Sequence, residues 1–121
     1  MTWEFDNNKP IYLQLVDILK FKIISGEFEI GSKLNSVRDM ASEAEVNPNT
    51  MQRALAELER EGLLHSQRTS GRFVTSDEDK IKNMRKEIAD KEINSLKEKL
   101  NKLGYKKDEI INIIKTNIME G

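Results

Sequence analysis

The sequence predicts a mostly α-helical protein with one small β-hairpin, in two parts: an N-terminal domain over residues 1–76 and a two-helix region over 77–121. Three observations carry this. Short amphipathic segments with capping residues follow one another up to Gly62. The period then changes, and two extended runs separated by Ser and Gly fill residues 64–75. From Asp77 to Leu103 neither Gly nor Pro interrupts apolar residues that recur every three or four positions.

Each element has a local cause. Pro10 opens PIYLQLVDILKFKIISGEF, and proline suits a first helical turn. Ile11, Leu15, Ile18 and Leu19 form its apolar stripe, widened by Tyr12, Val16 and Ile23, and Gly26 ends it. A turn signal at Gly31-Ser32 precedes a short strand expected around Lys33–Leu34. Ser36 caps a second helix, with Asp39 three residues on as an approximate capping box. A break at Val46-Asn47-Pro48 leads to a third helix, capped by Asn47, running to Glu61 and stopped by Gly62. Leu64-His65 and Arg72–Thr75 are extended, with a turn at Thr69-Ser70-Gly71, and read as a hairpin. The fourth helix, about 27 residues, would be roughly 40 Å long at 1.5 Å per residue. Gly104 ends it, and a fifth helix covers about 107–119.

Composition narrows the class. With 121 residues, 37% of them hydrophobic, one core is feasible with little apolar surplus. There is no Cys and a single histidine, His65, so no disulfide framework or credible zinc site is expected, and His65 reads as a hairpin residue. No Ser-His-Asp set, phosphate loop or dinucleotide fingerprint appears, so neither an enzyme nor a cofactor is expected. No basic n-region with an apolar h-region opens the chain, and no apolar run nears the roughly 20 residues of a membrane span. The expected setting is the cytoplasm.

The net charge of −1 gives no footprint for nucleic acid. Up to Ser76 there are 9 Lys and Arg against 11 Asp and Glu, a net of −2; beyond it 11 against 10, a net of +1. Only the local placement of residues can then mark such a surface. Helices two and three, joined by a few residues, make a helix-turn-helix, and the following hairpin is its wing. With Asn49 at zero and about 100° per residue, Met51, Ala54, Leu55 and Leu58 fall between about 140° and 240°. Asn49, Gln52, Arg53, Ala56 and Arg60 fall within about 60° of zero on the same wheel. That outer face holds no carboxylate, and its first turns lie at the positive end of the helix dipole. Asn and Gln can bond adenine bidentately, as Arg can guanine, and Ala56 keeps the middle of the face thin. A polar outer face alone is usually only solvated. Here the missing acids, the preceding short helix and the hairpin favour the edge of a base pair in double-stranded DNA.

Around that face, Arg38 reads as a base or phosphate contact, or as a surface arginine paired with a carboxylate. Lys33 and Ser36 are placed for phosphate. The wing run Gln67, Arg68, Thr69, Ser70, Gly71, Arg72 has no carboxylate, and Arg68 and Arg72 are expected at phosphate or in the minor groove.

The run GSKLNSVRDMASEAEVNPNTMQRALAELEREGLLHSQRTSGRFV resembles the DNA-binding domain of the GntR family of bacterial transcriptional regulators, and PIYLQLVDILKFKIISGEF resembles its first helix. The short tail resembles the YtrA-like subfamily, whose C-terminal part is reduced to about two dimerising helices. The resemblance implies a winged helix-turn-helix and DNA contacts at Ser36 and Arg38, at Asn47, Asn49, Thr50, Gln52 and Arg53, and from Arg68 through Arg72. Two departures stand out. Leu34-Asn35-Ser36 replaces the usual Leu-Pro-Ser, and Thr69-Ser70-Gly71 replaces Gly-x-Gly, which restricts φ > 0 at the wing tip.

The tail's stripe comprises Ile81, Met84, Ile88, Ile93, Leu96, Leu100 and Leu103, joined by Ile110 and Ile114 of the last helix. A monomer would expose much of it, so a symmetric homodimer reading a palindrome is expected. The alternative is that the stripe folds back on its own domain. No set of polar residues in the tail could enclose a metabolite, and a small effector at the dimer interface is left open. The expected function is sequence-specific transcriptional regulation, most simply repression. A protein–protein adaptor that docks through the winged helix is the competing class.

Overall fold

A computed structural model describes residues 3–121. Its elements are α1 (Ile11–Ile24), α2 (Val37–Ala44), α3 (Pro48–Arg60), β1 (Leu64–Gln67), β2 (Gly71–Val74), α4 (Glu78–Lys102) and α5 (Lys107–Glu120). The chain divides into two compact units, Met1–Met84 and Arg85–Gly121.

In the first unit α1 and α2 both pack on α3. Met51, Ala54 and Leu58 of α3 are fully buried and Leu55 is 1% exposed, so the wheel face drawn from sequence is the buried one. Leu15, Leu19 and Ile23 of α1 and Met40, Ala41 and Ala44 of α2 complete the helical core. Burial of each large apolar side chain contributes roughly 1.5–3 kcal/mol. Pro10 occupies the position just before α1, with φ −57° and ψ 128°. It has no side-chain donor or acceptor, and Gln14 ties the entry together instead. The Gln14 amide nitrogen donates to the carbonyls of Asp6 (2.8 Å) and Lys9 (3.0 Å), and its oxygen accepts from the Asp6 N–H at 2.6 Å.

The turn into α3 is sharp. Glu45 follows α2 in the left-handed conformation, φ 56° and ψ 45°, alone among the described non-glycine residues in having φ above zero. That conformation costs order 1–3 kcal/mol outside glycine. Two bonds hold it: the Glu45 N–H donates to Ser42 O (3.2 Å) and the Val46 N–H to Ala41 O (3.0 Å). Val46 packs against the core.

β1 and β2 are antiparallel, pairing Leu64 with Val74 and Gln67 with Gly71. Leu64 and Val74 point into the core, whereas His65 stacks on Phe73 at 5.8 Å between ring centroids. The strand expected at Lys33–Leu34 is a single bridge, Lys33 to Phe73. The Leu34 N–H donates to Arg72 O at 2.9 Å and the Val74 N–H to Ser32 O at 2.8 Å. Ser36 caps α2 so soon afterwards that no longer strand can form.

α4 begins in the first unit. Ile81, 7% exposed, belongs to the winged-helix core, and Met84 packs against it. Both therefore pack within their own chain, Ile81 buried and Met84 half-buried, where the sequence places them in a stripe for a second copy. In the second unit Ile110 is buried as well, and Ile88, Leu100 and Ile114 are half-buried. Ile93 and Leu96 remain exposed, as do Leu103 (73%), Ile111, Ile118 (72%) and Met119.

Candidate nucleic-acid interface

The exposed side of α3 starts from its cap. Asn47 Oδ1 accepts from the Asn49 N–H at 2.8 Å, and Pro48 supplies the first helical residue. This leaves the Asn47 amide nitrogen and the whole Asn49 amide to bond elsewhere. Ser36 does the same for α2, accepting from the Asp39 N–H at 3.1 Å while keeping its hydroxyl proton to donate. Asn49, Gln52, Arg53 and Ala56 are all exposed and Thr50 is half-buried, as the wheel requires. Lys33, Arg38 and Arg68 are exposed around them, and among the described residues none has an ion-pair or hydrogen-bond partner for its side chain. A recess of about 270 Å³ lies between the start of α2 and the wing, lined by Lys33, Ser36, Ser70 and Arg72 among others.

Two arginines are held in ways the sequence did not reveal. The Arg53 guanidinium lies over the Tyr12 ring of α1, its carbon 4.1 Å from the centroid. Stacking engages the face of the guanidinium and leaves its N–H edge to donate. Arg72 is only 17% exposed. Its Nε donates to Glu59 Oε1 at 3.2 Å and its Nη1 to Gln52 Oε1 at 3.0 Å. Glu59 also accepts from the Ser66 hydroxyl at 2.6 Å. The hydrogen bond from Ser66, then that from Arg72, holds the Glu59 carboxyl below its ordinary pKa. Arg72, expected at phosphate or in the minor groove, thus has its charge matched inside the protein. The β-register explains this, since Ser66 pairs with Arg72 and both meet the last turn of α3.

These contacts also resolve the charge balance. Each of the three glutamates ending α3 faces a cation of its own chain: Glu57 with Arg60, Glu59 with Arg72, and Glu61 with Lys20 at 3.0 Å. The Glu57–Arg60 pair is bidentate; Arg60 raises no free charge over the face, and its guanidinium lowers the Glu57 pKa. The acids that cancel the chain's cations overall do not stand open on the α3 surface.

At the wing tip neither Thr69 nor Ser70 needs φ above zero. Gly71 takes the left-handed role at φ 107°, and a Cβ there would lie 3.4 Å from Lys33 Cε. The glycine missing from the tip is therefore not required in this turn. Tyr12, Glu59 and Ser66 are the members of the site that sequence reasoning missed. Glu59 had a signal, lying seven residues, or two turns, beyond Gln52 on the same side of the helix.

A helix-turn-helix with its second helix polar and open, flanked by a basic helix start and a β-wing, defines a winged-helix DNA-binding module. The chain belongs to the gntR family of bacterial regulatory proteins, whose model matches residues 11–74. It is 34% identical over 113 residues to the uncharacterized HTH-type transcriptional regulator YhcF of Bacillus subtilis, covering 93% of each chain. It is 32% identical over 97 residues to the HTH-type transcriptional repressor YtrA of the same organism, covering 80% of this chain and 70% of that one. A solved GntR family transcriptional regulator from Listeria monocytogenes superposes with a TM-score of 0.86 at 39% identity, covering 93% of this chain and 98% of the other. The likeness to YtrA and to these full-length relatives extends the match from the winged helix into the short tail.

Proposed function

We propose that this DNA-binding transcriptional regulator is a homodimeric repressor that occupies a palindromic operator. α3 enters the major groove with Asn49, Gln52 and Arg53 toward base edges. Lys33, Ser36 and Arg38 take phosphates beside it, and Arg68 through Gly71 follow the backbone or the minor groove. The observation that carries this reading is the exposed face of Asn49, Gln52, Arg53 and Ala56, which holds no unpaired acid and lies beside Lys33, Arg38 and Arg68, three cations without a side-chain partner among the described residues. The dimer is supported by the exposed apolar side chains of the second unit, Leu103 and Ile118 foremost. Repression is supported by the name of the YtrA relative. Among the described residues no helix is long and apolar enough to cross a membrane.

The test is fluorescence anisotropy on DNA selected from a random library, with and without two-fold symmetry, over a salt series. The expected result is tight binding to a palindrome, one dimer per site, weakening steeply as salt rises. Failure to enrich any sequence would overturn DNA reading. Enrichment of single half-sites bound by monomers would overturn the dimer.

A further inference from the structure

We propose that Arg72 is a positioning residue that sets the base preference of Gln52, turning it from an adenine reader into a guanine reader. This rests on the preceding assignment of α3 to the major groove. The Arg72 guanidinium carries donors and no acceptor, so only the oxygen of the Gln52 amide can face it. That oxygen accepts from Nη1 at 3.0 Å. The guanidinium is fixed at its other side by Glu59 Oε1 at 3.2 Å, and Glu59 is in turn held by Ser66. Arg72 thereby links the wing to α3, with little freedom to swing away.

A glutamine reads adenine by accepting from N6 and donating to N7 at once. With its oxygen engaged and a cation beside it, Gln52 repels the partly positive adenine amino group. What it presents outward is its NH₂, which suits the paired acceptors N7 and O6 of guanine. The guanidinium adds positive potential on the same side and reinforces that choice. A lysine at the same place would keep the charge but lack the planar fork that reaches Glu59 and Gln52 together.

The experiment is binding-site selection from a random DNA library with the full chain and three variants. Gln52→Ala identifies the base pair that Gln52 reads, as the position whose preference collapses. At that position the unaltered protein is expected to favour guanine over adenine by about tenfold. Arg72→Met and Arg72→Lys are both expected to erase that preference or reverse it toward adenine, with the rest of the selected site unchanged. The inference is overturned if the unaltered protein selects adenine there, or if no position depends on Gln52. It is equally overturned if Arg72→Lys keeps the guanine preference while Arg72→Met binds every sequence more weakly, the pattern of a phosphate contact. If the unaltered protein enriches no sequence, the assignment of α3 to the major groove fails and the inference fails with it.

Discussion

Asn47 holds two roles in one side chain, and they can be separated. Its oxygen caps α3 through the Asn49 N–H at 2.8 Å, while its amide nitrogen faces outward where DNA is proposed to lie. Asn47→Ala removes the cap, at a cost of about 1 kcal/mol. In a unit of this size that lowers Tm by about 4–8 °C. Asn47→Asp keeps an equally good acceptor and places a negative charge at the positive end of the helix, so its Tm should equal or exceed that of the unaltered protein. The same carboxylate would stand near phosphate. Two charges ~4 Å apart in water interact by about 1 kcal/mol, a loss of about fivefold in affinity. Asn47→Ala should therefore be less stable, and Asn47→Asp stable but weaker on DNA at low salt. Thermal unfolding by circular dichroism and anisotropy titration on a selected operator measure the two effects. An Asn47→Ala protein that melts with the unaltered one refutes the capping argument. An Asn47→Asp protein that binds DNA undiminished refutes the placement of this helix start beside the backbone.

Three further outcomes are expected. Leu58→Ala opens a cavity at a fully buried site of the winged-helix core, and should cost roughly 2–5 kcal/mol in urea unfolding; a loss below ~1 kcal/mol would place Leu58 outside the core. Glu59 has a folded pKa below its ordinary value of 4.5, because of Ser66 first and Arg72 after it. Its contribution is present above the unfolded pKa and disappears as pH falls through the folded one. Protection of the wing amides, corrected for the intrinsic exchange rate, should therefore fall on acidification below the ordinary carboxylate range more in the unaltered protein than in Glu59→Gln, and identical acid profiles would contradict the link. Replacing both Leu103 and Ile118 by Glu should shift sedimentation from the proposed dimer to monomer and weaken palindrome binding about tenfold or more, with the melting of the first unit unchanged; a dimer that survives places the interface elsewhere, and an unaltered protein that sediments as a monomer refutes the proposed dimer.

Much of the first unit was legible because its determinants are local. Caps at Ser36 and Asn47, the stop at Gly62 and the face formed by Met51, Ala54, Leu55 and Leu58 depend on spacings of three or four along the chain. The tail was less legible. An apolar stripe continues from Ile81 to Leu103 with a one-residue slip of phase near Ile88–Ala89, and that slip does not show that its first two members join a different core. Only packing divides them, with Ile81 at 7% exposure and Ile93 at 48%.

The outer face of α3 shows the same division. The sequence by itself determined which residues point outward, because helical periodicity fixes direction once the buried face is known. It could not determine what each outward residue is bonded to. The Glu45 turn has no glycine to announce it and is held by bonds back to Ala41 and Ser42. Arg53 rests on Tyr12 of α1, forty-one positions earlier, and Arg72 reaches Gln52 only because β-pairing carries it back to α3. Those contacts join segments far apart in the chain, and sequence spacing carries no record of them. They decided which of the chain's cations stay open to a phosphate, and which have already found their counter-charge inside the protein.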